Sequence, residues 1–237
     1  MSAQGRGAER IEDDAYETPS WCVDRLLESP LVADIAVLKN WMEPCAGEGA
    51  IIRAVNALVP RVSWWAVELR EECREPLGQL VSTPIICDYV RYAESVREVA
   101  NLDVIISNPP YSVAQQVIEA SLPLARWVIM LLRVNFQASD ERHSFMRQYP
   151  PDVLVLPNRP RFRTGINPKN GKVWSSDATE YAWFCWPPGS KDRPYGRNLV
   201  LNLTPGEERA REFAERSARH ARLRAERAAP TRAAMGD

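Results

Sequence analysis

Residues 103–112, DVIISNPPYS, decide how the rest of the chain is read. Val104, Ile105 and Ile106 make a short apolar run of β-branched side chains, which reads as an interior strand. Asn108-Pro109-Pro110 must then stop it, because proline withdraws a ladder donor and fixes φ near about −65°. The result is a rigid, donor-poor turn with an amide before it and the ring of Tyr111 after it.

Outward from this turn, strand-like and helix-like segments alternate. Strands are expected over 38–43, 62–68, 85–87, 104–107, 127–134 and 153–156. Helices are expected over 21–31, 50–58, 70–80, 92–100, 112–125 and 140–148. Such alternation predicts βαβ units, hence an α/β, Rossmann-like, doubly wound and mostly parallel sheet covered on both faces. Past residue 156 the pattern changes. Residues 157–176 carry Gly165, Pro168 and Asn170-Gly171 without a helical period, and Asn-Gly between candidate strands signals a hairpin. Residues 181–186 and 199–203 read as short strands. Residues 207–227 read as a charged helix with Glu207–Arg211, Glu212–Arg216 and Glu215–Arg219 four apart. Residues 1–15 are polar and expected to be a mobile start, residues 16–204 one domain, and 205–237 a charged helix and tail.

Composition narrows the class. A chain of 237 residues, 45% hydrophobic and 26% charged, suits one α/β domain with a full core. No run approaches the roughly 18 apolar residues of a membrane span, and the first residues lack the apolar stretch of a signal peptide. Five cysteines form no C-x-x-C pair, so reduced thiols in a cytoplasmic protein are expected. His143 and His220 stand far apart, which argues against a zinc site or a histidine triad, and no metal is expected. The net charge of −1 favours no class of partner.

The ends of the expected strands carry the polar chemistry. In WMEPCAGEGAI, residues 41–51, Glu43 ends the first strand and Gly47 and Gly49 precede a helix, where backbone can approach a ligand. A third glycine of the dinucleotide fingerprint would fall on Ile52, so a pyrophosphate cradle is disfavoured. Glu68 ends the second strand, where doubly wound sheets commonly hold a ribose diol; Asp88 ends the third and Asn108 the fourth. Cys45, without a nearby histidine, is not read as a nucleophile.

Together these residues resemble the class I S-adenosylmethionine-dependent methyltransferases that modify amino groups through an Asn-Pro-Pro-Tyr motif. EPCAGEG at 43–49 resembles their cofactor loop, AVEL at 66–69 their ribose-binding strand end, and CDY at 87–89 their adenine-contacting turn. NPPY at 108–111 matches their catalytic motif, and TPSW at 18–21 resembles an N-terminal element that closes over the cofactor. RPRF at 159–162 and EYAWFCW at 180–186 resemble later elements of compact, phage-like adenine-N6 methyltransferases, so the likeness covers about residues 16–186. It implies a seven-stranded class I methyltransferase sheet with a C-terminal hairpin and helix. It also implies S-adenosyl-L-methionine as cofactor, bound by Thr18, Glu43, Pro44, Gly47, Gly49, Glu68, Asp88, Tyr89 and Asn108.

The implied reaction explains the turn. The lone pair of an exocyclic base amine is delocalised into its ring. In the family, the Asn side-chain oxygen and the first proline's carbonyl accept its two N–H bonds, freeing the lone pair. Those acceptors are Asn108 and Pro109 here; Pro110 holds the turn, and Tyr111 would stack on the ring and fix its angle. The expected substrate is adenine in DNA, with its base extruded or unpaired. An RNA base is the alternative. So is a protein glutamine amide, which is equally planar, or a non-catalytic role as a cofactor-binding partner subunit. Arg159, Arg161, Arg163, Lys169 and Lys172, with Phe162 among them and no acid between Asp152 and Asp177, read as a substrate-contacting surface over 157–176. Phe162 and Tyr181 are candidates for a second stacking surface, Tyr181 and Trp183 also for the core. Duplex-specific relatives usually carry a larger recognition region than the 157–176 loop and C-terminal tail, which leaves open loose specificity, a homodimer or partner subunit for target recognition, or a substrate other than duplex DNA.

Overall fold

The structure is a computed structural model that describes residues 17–59, 61–162 and 179–203. The expected mobile start, the Asn170-Gly171 hairpin and the charged helix over 207–227 lie outside the described residues. Eight strands form one sheet in the order β3-β2-β1-β4-β5-β7-β6-β8. They span β1 Asn40–Pro44, β2 Ser63–Glu68, β3 Ile85–Ile86, β4 Leu102–Ser107, β5 Ala125–Arg133, β6 Asp152–Val155, β7 Tyr181–Trp186 and β8 Asn198–Val200. The first five run parallel; β7 is antiparallel to both β5 and β6, and β8 is parallel to β6. The sheet thus has one strand more than the seven expected. The extra edge strand, β8, is held beside β6 partly by Arg197, whose backbone N–H and guanidinium both bond the Asp152 carboxylate.

The apolar runs bury both faces because alternate side chains point to opposite sides. On β5, Trp127, Ile129 and Leu131 join one core cluster with Trp21, Trp41 and Trp183, beneath α1 (Ser20–Leu27) and α2 (Ala50–Leu58). Val128, Met130 and Leu132 join the other with Met42, Phe136 and Phe184, beneath α4 (Tyr89–Val96) and α5 (Ala114–Ser121). No helix among the described residues is long and apolar enough to cross a membrane.

Several element boundaries differ from expectation for local reasons. The helix expected over 21–31 ends at Leu27, since Ser29 precedes a proline and its side chain accepts the Leu31 N–H to start a 3₁₀ stretch, Pro30–Val37. The helix expected over 70–80 is a 3₁₀ turn, Glu71–Cys73, followed by the five-residue α3, Arg74–Gly78, which contains Pro76. The helix expected from 92 begins at Tyr89, because Asp88 caps it by accepting the Arg91 N–H at 3.1 Å. α6, His143–Gln148, is the last helix among the described residues.

At the far edge Asp152 is buried at 1% exposure and clasps the 193–197 loop. Its carboxylate accepts from Arg193 Nη2 at 2.8 Å, Arg197 N at 2.7 Å and Arg197 Nη2 at 2.6 Å. Burial alone would raise its pKa, but the Arg197 bonds and both arginine charges hold it below the usual carboxylate range. A lowered folded-state pKa contributes stability above the unfolded value, lost as pH falls through the folded one. Asp152→Asn should therefore destabilise the fold at neutral pH by roughly 2–3 kcal/mol, less than a fully buried pair because Arg197 is half exposed. Urea unfolding at neutral and acid pH should show that deficit shrinking in acid.

Candidate active site

Strand order reverses between β1 and β4, and an open sheet parts at its carboxyl edge at such a point. A cavity of about 680 Å³ lies there, within the range of small-molecule sites. Its floor is made by strand tips. Glu43, Glu68 and Asn108 line it from the ends of β1, β2 and β4, and Asp88 and Tyr89 from the turn after β3.

The tips are tied together. Ser107 Oγ, fully buried at the end of β4, donates to the carbonyl of Pro44 at the end of β1. Gly47 N donates to Glu68 Oε2 at 2.6 Å, bending the loop after β1 onto the tip of β2. Glu68 Oε1 accepts from the backbone and the Nε of Arg70, at 3.0 and 3.1 Å. Glu43 Oε2 accepts from Ile52 N at 3.3 Å, so a β1 side chain caps α2, whose N-cap residue Gly49 has none. Gly49 is required: its φ is +82°, and a Cβ there would lie 2.4 Å from Leu80 Cδ1. A loop amide and one in the first turn of α2 are thus engaged by the chain's own carboxylates, the opposite of a phosphate cradle.

Charge inside is mostly negative. Glu17, Glu43, Glu48, Glu68 and Asp88 face Arg70 and Arg91 across the lining. Burial drives the Glu43 carboxyl well above the usual carboxylate range; the Ile52 N–H and Arg53 counter it, and the Glu68 charge adds to it. Burial and the charges of Glu68, Glu43 and Asp88 push the Cys45 thiol up to about 12. It stays a neutral thiol, suited to packing and not to attack.

At the rim, Thr18 is buried just before α1, and its Oγ1 accepts from Asn108 Nδ2 at 3.2 Å. The amide's oxygen is then the end left for an incoming donor. Pro110 lines the cavity, and its carbonyl accepts the Val113 N–H at 3.1 Å, closing the turn. Pro109 is buried behind it. Tyr111 lies outside the cavity, 37% exposed, edge-on to Phe136 with the Arg133 guanidinium carbon 5.0 Å from its ring centre.

The other expected site residues are spread more widely. Pro44 contributes its carbonyl to Ser107, and Gly49 packs against Leu77 and Leu80, so both act through the loop's shape. Tyr89 is buried, its hydroxyl 2.8 Å from Ser121 Oγ, with its ring on the cavity wall. Arg159 pairs with Glu180 on the surface, Arg161 is exposed, and Phe162 packs on Tyr181 with ring centres 4.8 Å apart. Trp183 is fully buried, its Nε1 donating to Cys22 O. Arg163, Lys169 and Lys172 lie outside the described residues. The sequence reading missed Leu69, Val90 and Gln116, which also line the cavity. Leu69 is 61% exposed just past the tip of β2, and an exposed apolar residue beside strand-end acids was the available signal.

No protein-family model matches the chain, and no curated protein does. Solved structures share its architecture. A candidate RNA methyltransferase from Pyrococcus horikoshii superposes with a TM-score of 0.54 at 13% identity, over 78% of this chain and 94% of its own. A predicted O-methyltransferase from Agrobacterium tumefaciens gives 0.51 at 16% identity, over 79% of this chain and 88% of its own. The likeness is one of fold: the chain has the Rossmann-like architecture of these methyltransferases.

Proposed function

We propose that the protein is an S-adenosyl-L-methionine-dependent methyltransferase acting on the N6 amine of adenine in DNA. One observation carries the reading. The Asn108 amide, its nitrogen bound to Thr18, shares a single cavity with the buried carboxylates Glu43 and Glu68. An amide acceptor for an amine thus adjoins a negatively charged pocket.

The residues fit the cofactor. A pocket with five carboxylates and two guanidiniums favours a cationic ligand, and the Gly47 and Ile52 amides, already bound to Glu68 and Glu43, offer nothing to a pyrophosphate. Glu68 Oε2 accepts one bond and retains capacity for a ribose hydroxyl, while Leu69 and Val90 give a flat base an apolar surface. When bound, the cofactor supplies an electrophilic methyl group on a sulfonium. The chain's part is to hold the amine: the Asn108 side-chain oxygen and the Pro109 carbonyl accept its two hydrogens. Positive charge developing on the nitrogen then meets oriented dipoles that need no reorganisation.

The nucleic-acid substrate is supported by charge outside the cavity. Arg133, Arg159 and Arg161 do not line the cavity, and the exposed Arg159, paired with Glu180, and Arg161 lead in sequence into the segment with Arg163, Lys169 and Lys172. Such a division suits a polyanion brought to a cationic cofactor.

Labelled cofactor incubated in parallel with DNA, RNA and protein should label adenine in DNA. Label in RNA alone moves the target to an RNA base, label in protein alone to a glutamine amide, and label in none removes the enzymatic reading. Asn108→Ala should lower turnover by about 10²–10³-fold with cofactor affinity within about twofold of the parent, measured by calorimetry.

Glu43 gives a pH-dependent test. Its folded-state pKa is raised, so its stabilising contribution is complete below the unfolded value and lost as pH rises through the folded one. Glu43→Gln keeps the acceptor for Ile52 without the buried charge. It should raise Tm above the parent's by an amount that grows as pH climbs past the ordinary carboxylate range. The same variant should bind S-adenosyl-L-methionine about tenfold more weakly at neutral pH. Scanning calorimetry and titration across pH check both.

A further inference from the structure

We propose that Arg133 is a positioning residue that holds the Tyr111 ring for the target base, an inference resting on the methyl-transfer reading above. Tyr111 is more than one-third exposed in a turn, where an aromatic side chain has room to rotate. Two contacts oppose that rotation. Phe136 meets it edge-on at 6.3 Å and 83°, and the Arg133 guanidinium carbon lies 5.0 Å from its centre.

Both clamps are fixed from behind. Phe136 is fully buried, set edge-on to Phe184 at 6.0 Å, with the Arg142 guanidinium carbon 4.6 Å from its ring centre and Arg142 Nε bonded to its carbonyl. Arg133 ends β5, opposite Tyr181 in the antiparallel register of β7, and its Nε donates to the Tyr181 hydroxyl at 3.4 Å. Tyr181 in turn packs on Phe162, the last described residue before 163. The contacts run from the basic segment to the catalytic turn through one guanidinium.

The chemistry suits the role. A guanidinium is planar and permanently charged, so it can lie over a ring while its Nε–H stays bonded elsewhere; an ammonium, a point charge on a flexible stem, offers no flat face to the ring and fixes it less. With Arg133 on one face of Tyr111, the opposite face is the one offered to a flat substrate. Arg133 thus acts through Tyr111, not on the amine.

A double-mutant cycle under single-turnover conditions tests this. Arg133→Gln should slow methyl transfer about 10–100-fold in the parent and less than about twofold in Tyr111→Leu, with cofactor affinity equal in all four proteins. Equal slowing in both backgrounds would overturn the inference and make Arg133 an independent contact; a shallower salt dependence of substrate binding would identify that contact as phosphate. Arg133→Lys should recover only part of the rate, and full recovery counts against the planar contact. If Tyr111→Leu transfers nothing, or the parent methylates no substrate, aromatic NMR decides. Arg133→Gln should move the Tyr111 ring signals, assigned with Tyr111→Phe, and unmoved signals overturn the proposal. Absence of methylation by the parent defeats the functional reading separately.

Discussion

Two carboxylates, Glu43 and Glu68, are buried at neighbouring strand tips, and a buried acid must be given donors. The chain supplies them from the loop after β1 and the first turn of α2, Gly47 N–H to Glu68 and Ile52 N–H to Glu43, and from Arg70, whose backbone N–H and Nε also bond Glu68. Displacing the loop or the start of α2 would break the Gly47 and Ile52 bonds and leave Glu68 with Arg70 alone, so the strand tips and this segment specify each other's position. Ser107 adds the third tip through Pro44, fixing the start of the Asn108 turn against the end of β1. A few hydrogen bonds among β1, β2, β4 and the first turn of α2 thus hold the strand tips that floor the cavity.

That arrangement carries an internal cost. Glu43 would be easier to bury as an amide, and its raised pKa measures the strain of keeping an acid there. Asp152 shows the contrast at the other edge: equally buried, it is met by two arginines and its pKa falls. One acid is fully neutralised by the protein and the other is not. An incompletely neutralised carboxylate on a cavity wall is where a cationic ligand returns the most free energy.

Much of this was legible in the sequence, for identifiable reasons. Strand tips are set where apolar runs stop, and Pro44, Pro109 and Pro110 mark two of those stops, so Glu43, Glu68, Asp88 and Asn108 could be placed from spacing. Helix starts and lengths were less legible: Asp88 begins α4 earlier than the apolar period suggests, and Pro76 keeps α3 to five residues. The partnership of Arg133 with Tyr111 could not be read at all. It depends on β4 pairing β5 so that Ser107 meets Met130, which brings the residues beyond each strand together although they are 22 positions apart in sequence. The eighth strand was legible as a short run over 199–203, and the structure moves it to 198–200, where three residues pair with β6 and Arg197 just before them bonds Asp152.

The reversed strand β7 has a topological consequence for substrate access. β6 runs parallel to β5, so it ends at the carboxyl edge; β7, antiparallel to both, must begin at that edge. The chain leaves the sheet at Leu156 and re-enters at Tyr181, and these residues are joined by a hydrogen bond of 2.9 Å from Leu156 N to Tyr181 O. The ends of the basic segment are thereby anchored on the side of the sheet that carries the Asn108 turn, with Tyr181 opposite Arg133. A parallel β7 would begin at the opposite edge, far from Asn108. The same reversal thus brings both ends of the segment between Leu156 and Tyr181 to the edge of the sheet that carries Asn108, and the proposed substrate-contacting role of residues 157–176 draws on that anchoring as well as on charge.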